Sequence, residues 1–192
     1  MRLILIVVMF CIFAGCNAKA IANNSVENDC QYTRAALAMK MKAPADANIV
    51  NSYWQKTKDE SSDETVDRLY LVFADGSSAT IEHKYCSMYN FSFVYYAKHK
   101  DDINDEKKVA AIINRLFGYS AVKVVFKKPL LNVLESAFKS KNYNGQGKVD
   151  IALPADNIDI NDSVEYGAYY YPLSDIGVAE GAVGLTMSIG GM

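Results

Sequence analysis

The sequence predicts an α+β domain in which one or more antiparallel sheets pack against about three helices. Three observations lead there. Several stretches alternate apolar and polar residues with a period of two, the mark of a half-buried strand. Others repeat apolar residues at three- and four-residue spacing, the mark of a helix face. Helices and strands also come in separate runs, which favours α+β over a parallel doubly wound sheet. The composition supports a core: 51% of the 192 residues are hydrophobic, 22% are charged and only four are Pro, unlike a disordered chain. A net charge of −2 lacks the basic excess of a nucleic-acid binder. One domain is expected at this length.

The first segment reads as a leader. Arg2 precedes eleven apolar residues, Leu3 to Phe13, followed by small Ala14 and Gly15. That is the charge, apolar run and small-residue order of a secretory signal peptide, and it is too short to span a bilayer. Phe13-Ala14-Gly15-Cys16 resembles the lipobox of bacterial lipoproteins. The resemblance implies cleavage after residue 15 and acylation of Cys16, and Asn17, in place of Asp, points to the outer membrane. Ala18-Lys19-Ala20 also fits an ordinary cleavage site, with residues 1–20 removed and a soluble periplasmic or secreted product. Residues 16–28 read as a polar tether, and 29–192 as one domain, with a division into two subdomains near 100–105 left open.

The cysteines follow from the leader. Of Cys11, Cys16, Cys30 and Cys86, the first two belong to the leader or the lipid site. Cys30 and Cys86 remain, in an oxidising compartment, so a disulfide between them is the simplest pairing.

Along the mature chain, Asp29 caps an expected helix over 29–41, with Cys30, Arg34, Leu37 and Met41 on one face and Pro44 ending it. Four strands then form a meander. They are Ile49 to Thr57, Arg68 to Phe73, Ala79 to Tyr85 and a run through Phe91, Phe93 and Tyr95, with Asp75-Gly76 as a hairpin turn. Val109, Ile112, Ile113, Leu116 and Phe117 mark the clearest helix, capped by Asp105 and stopped by Gly118. Ala121 to Phe126 is a short strand or a connector. Pro129 suits the first turn of a further helix with Leu130, Leu134, Ala137 and Phe138 on its face. Lys148 to Leu153, Val164 to Tyr171 and Val183 to Ile189 are three more strands.

Residues with chemistry are few. His83 lies beside Cys86 and shares a strand face with Tyr85, which reads as a packed histidine near a disulfide; an acid–base role with Glu82 or Tyr85 is the lesser alternative. Only two His are present, so no zinc set assembles, and no metal or cofactor is expected. Asp159, Asn161 and Ser163 alternate oxygens as a calcium loop does, yet Val164 and Tyr170 stand where such a loop needs Gly and Glu. Three Asn-X-Ser sequons, at Asn23, Asn90 and Asn161, carry no weight in a bacterial lipoprotein.

Two features suggest a contact surface. The loop with Asp59, Glu60, Asp63 and Glu64 is acidic and could steer a basic partner. The 13 Tyr cluster, and Tyr95, Tyr96, Tyr169 and Tyr171 are the candidates for recognition, since Tyr offers rigid contact area and a hydroxyl. With no assembled catalytic set, no enzyme is expected. The expected function is an exported, lipid-anchored periplasmic protein-binding module. It would be an inhibitor or immunity protein for another exported protein such as a toxin or hydrolase. The alternative is a structural or assembly lipoprotein of a cell-envelope complex.

Overall fold

The computed structural model describes residues 30–33, 43–58, 64–120, 124–160, 162–173 and 179–190. The leader, Cys16, the tether and most of the helix expected over 29–41 lie outside them.

Seven strands form one antiparallel sheet: β1 (Ile49–Lys58), β2 (Thr65–Phe73), β3 (Ser78–Tyr85), β4 (Tyr89–Ala97), β5 (Val149–Ala152), β6 (Val164–Pro172) and β7 (Gly181–Ile189). Their spatial order is β1-β2-β3-β4-β7-β6-β5. Between β4 and β5 the chain forms a 3-10 turn (Lys100–Ile103) and two helices, α1 (Glu106–Gly118) and α2 (Leu130–Ser140).

This corrects the expected fold class. The described chain is dominated by a single seven-stranded sheet with two α-helices, in place of an α+β arrangement with about three. The reason is a long-range pairing. β7 docks on β4 through a continuous register from Tyr89↔Ile189 to Ala97↔Gly181, so the late strands extend the first meander and build no sheet of their own. Ala121 to Phe126 adds no strand; among its described residues only Phe126 makes an isolated bridge, to Ile158.

Alternation decides which face is buried. In β2 to β4, Leu69, Leu71, Phe73, Ile81, Phe91, Phe93 and Tyr95 point to one side, and all are at most 2% exposed. The helices cover that side with Val109, Ile113 and Leu116 from α1 and Leu130, Leu134 and Phe138 from α2. Fully burying each such side chain is worth roughly 1.5–3 kcal/mol. A file of rings stitches the layers: Phe93, Phe91, Phe117, Phe126 and Tyr166 follow one another at centroid distances of 5.8, 5.8, 5.2 and 6.2 Å.

Local signals set the element ends. At the β2–β3 hairpin Gly76 takes φ +84°, a conformation that favours glycine, and the Asp75 carboxylate accepts from the Ser77 amide at 2.8 Å. Asp105 caps α1, its Oδ1 accepting from the Lys108 amide at 2.9 Å. Asp105→Ala is expected to cost about 1 kcal/mol, read as a lowered urea midpoint with an unchanged slope.

The disulfide joins Cys30 to Cys86, in the turn between β3 and β4. Beside it the Tyr32 amide donates to the Cys86 carbonyl at 2.8 Å and the Tyr32 hydroxyl donates to Asp162.

Candidate functional site

Both helices lie on one face of the sheet, and the opposite face carries its own pattern. The registers combine into rows that cross the sheet. One row runs Tyr53, Tyr70, Thr80, Val94, Gly184, Tyr169, Asp150 from β1 to β5. The next runs Asn51, Val72, Ser78, Tyr96, Ala182, Tyr171. These two rows gather the tyrosines of the face with Val72, Thr80 and Val94, and Tyr53 (63%), Val72 (40%) and Tyr96 (37%) are the most exposed. The rows nearer the disulfide are polar. Gln55, Arg68, Glu82, Ser92 and Thr186 lie in one, and the Arg68 Nε–Glu82 Oε2 ion pair at 2.5 Å spans β2 and β3 there.

Small residues on β7 shape the aromatic rows. Gly184 has no room for a side chain: a Cβ there would meet the Tyr169 ring and the Phe93 carbonyl oxygen. Tyr169 therefore lies across β7, and its hydroxyl donates to that carbonyl of β4 at 3.3 Å. Burial, then neighbouring Tyr96, Tyr171 and Asp150, pushes the Tyr169 phenol up to about 12, so it remains a donor at neutral pH. Tyr171 packs beside it at 5.1 Å, donates to Asp150 Oδ2 at 3.1 Å and lies 4.7 Å below the Lys148 ammonium. Tyr96 and Tyr171 flank Ala182 on the neighbouring strands. Tyr53 and Tyr70 stack at 6.1 Å on the far side. The arrangement presents rigid ring area with hydroxyls at its margins, suited to contact with another macromolecule.

Of the tyrosines singled out in the sequence, Tyr96, Tyr169 and Tyr171 share this face. Tyr95 does not: it is 2% exposed and packs against Phe73 at 5.9 Å. Sequence reasoning missed Tyr53, Tyr70, Val72 and Val94. A signal existed, because Tyr70 and Val72 must oppose the inward Leu69, Leu71 and Phe73. Asp59, Glu60 and Asp63 lie outside the described residues, and Glu64 stands just before β2. Asn161 of the calcium-like stretch is also outside them, and Asp159 uses its amide to bond the Val125 carbonyl at 2.9 Å.

His83 sits on the covered face. It is 1% exposed, with the rings of Trp54, Tyr89 and Phe91 at 6.4, 6.0 and 5.1 Å. Burial lowers its imidazole to about 4, against a smaller opposing effect of Asp67, so it is neutral at pH 7. Burial also raises the Tyr89 phenol, whose oxygen is hydrogen-bonded with Nδ1 at 2.6 Å. Asp67 beside it is fully buried and accepts from the Tyr85 hydroxyl at 2.7 Å. These groups form a dry polar node in the core. Among the described residues no three His, Cys, Asp or Glu side chains converge to hold a metal ion, and no helix is long and apolar enough to cross a membrane.

No protein-family model, curated protein or solved structure matches this chain.

Proposed function

We propose that this chain is an exported protein-binding module of the inhibitor or immunity type. It is held at the cell envelope through a lipid on Cys16 and neutralises or regulates another exported protein such as a toxin or hydrolase. The open face carries the reading: its five tyrosines, with Val72 and Val94, are collected into two adjacent rows, at one end of a sheet side that the helices leave bare. A Cys30–Cys86 disulfide supports export, because such bonds persist in oxidising compartments. The lipobox-like Phe13-Ala14-Gly15-Cys16 supports anchoring.

The test is capture by the purified, disulfide-bonded mature protein of exported products encoded by neighbouring genes, at near-physiological salt. A stable complex is expected. The Tyr96→Ala and Val72→Ala variants should each weaken it about tenfold, or roughly 1–2 kcal/mol, by isothermal titration. Recovery of nothing but nonspecific envelope proteins ends the inhibitor reading. Cys16→Ser separates it from an assembly lipoprotein of an envelope complex: an inhibitor acting in the periplasm tolerates the soluble form, whereas an assembly factor loses its function.

A further inference from the structure

Beyond the open face, the sheet ends at β5. β5 is the last strand of the sheet, and among the described residues only β6 pairs with it. The Leu153 amide donates to the Tyr166 carbonyl at 2.9 Å, which fixes the phase of the ladder. Alternate residues bond the partner strand, so the N–H and C=O groups of Asp150 and Ala152 point away from β6, to the free edge. Ala152 lines a groove of about 420 Å³ whose opposite wall is α2. That volume is in the range of ligand sites. Asn132, Ser136 and Ser140, four residues apart on α2, face the groove together, with Val133 and Ala137 between them as an apolar lining.

One end of the groove is closed. After β5 the chain makes a 3-10 turn (Ala155–Asn157), and there Asn157 ties its own wall to the segment leading into α2. Its carbonyl accepts from the Lys127 amide at 2.8 Å, its Oδ1 accepts from the Lys128 amide at 2.8 Å, and its Nδ2 donates to the Lys128 carbonyl at 3.2 Å. Asn157 is 5% exposed, so the tie is part of the packed fold. Lys127 and Lys128, both exposed, line this same end together with Asp156, leaving a net positive charge there. From Asn132 to Ser140 the groove runs about 12 Å along the helix, room for roughly four extended residues.

We propose that this groove binds the C-terminal end of an extended peptide chain, added as a strand beside β5 with its free carboxylate against the Lys127 and Lys128 ammonium groups. An edge with outward backbone groups recognises an extended chain whatever its side chains. The Asn157 tie requires the guest chain to stop at the lysine end. Two ammonium groups at that stop match a terminal carboxylate and repel a terminal amine. The guest therefore runs parallel to β5, which itself leads into the closing turn, and Val133 and Ala137 favour small apolar side chains near its end. The site is separate from the open face and does not depend on the partner proposed for it.

The experiment is fluorescence anisotropy of the disulfide-bonded mature protein with a pool of N-terminally labelled, randomised hexapeptides, made once as free acids and once as C-terminal amides. Free acids should bind, and their amides should bind at least about tenfold more weakly. The paired substitution Lys127→Gln, Lys128→Gln should bring the same loss, with circular dichroism and melting temperature unchanged since both side chains are exposed. Ala152→Pro removes the outward amide at an edge position that tolerates proline, and it should abolish binding. If that variant unfolds, N-methylating the peptide amide that pairs with β5 makes the same test on the native protein. Equal binding of acids and amides overturns the proposal, as does binding that survives the double lysine change, amidated peptides with acidic side chains that bind as well as free acids, or no binding by either pool.

Discussion

Replacing Cys30 and Cys86 together by Ser is expected to lower the free energy of unfolding by about 4 kcal/mol. The cysteines are 56 residues apart in sequence, and closing a loop of that size removes about this much entropy from the unfolded chain. In a domain of this length the melting temperature should fall by roughly 8–16 °C. The loss should exceed that of a crosslink between passive loops, because the disulfide also seats Tyr32, whose ring lies 6.3 Å from Tyr89 and whose hydroxyl reaches Asp162. Urea unfolding of the oxidised protein, the double variant and the oxidised protein treated with a reductant measures it. Coincident midpoints for oxidised and reduced protein would show that the strap contributes nothing.

Acid should weaken the fold through His83. Above about pH 6.5, the ordinary imidazole value, neither folded nor unfolded protein carries a proton there and the stability is complete. Burial holds the folded imidazole down to about 4. Between those two values the unfolded state takes up a proton and the folded state does not, so stability drains away as the pH falls. At 1.36 kcal/mol for each pH unit, the loss approaches about 3 kcal/mol by pH 4. Asp46 and Asp75 add to the acid sensitivity, since hydrogen bonds from Tyr119 and Ser77 hold their carboxyls below the usual range. The His83→Gln variant isolates the histidine: Gln keeps an acceptor for the Tyr89 hydroxyl and does not titrate. Wild type should lose about 3 kcal/mol more than this variant between pH 7 and pH 4. Parallel stability curves would place solvent around the imidazole.

The sequence exposed what depends on near neighbours. Leu69, Leu71 and Phe73 alternate around a tight turn at Asp75-Gly76, so β2 and β3 could be placed before any contact was seen. Val109, Ile113 and Leu116 repeat at helical spacing behind a capping Asp105, so α1 could be as well. The disulfide followed from counting, since Cys11 falls in the expected leader and Cys16 at the expected lipid site. The seven-stranded sheet did not follow, because it turns on Phe93 pairing with Leu185 and Val94 with Gly184, nearly a hundred residues on. Nothing in a local window distinguishes an edge that will receive such a strand from one that will not.

The tyrosine rows of the open face were legible only in part, for the same reason. Adjacent Tyr95 and Tyr96 had to point to opposite faces, and the structure buries the first and exposes the second. That Tyr96, Tyr171 and Val72 fall in one row depends on four successive registers, which no single strand encodes. The groove beside β5 was less visible still. Asn132, Ser136 and Ser140 look like the ordinary polar side of a helix, and Lys127-Lys128 like a solvated pair, until Asn157 closes the space between them.

The Cys30 attachment also sets how the molecule bears load. Tension on the segment preceding Cys30 enters at the β3–β4 turn, at one pole of the sheet. It runs lengthwise along two interior strands, so the ladder bonds resist in shear together and are not peeled open one at a time. The opposite pole, with the Asp75-Gly76 turn, lies about 23 Å away along β3. Val72, Tyr96 and Tyr171 belong to that remote pole, a strand's length from the point where the strain enters.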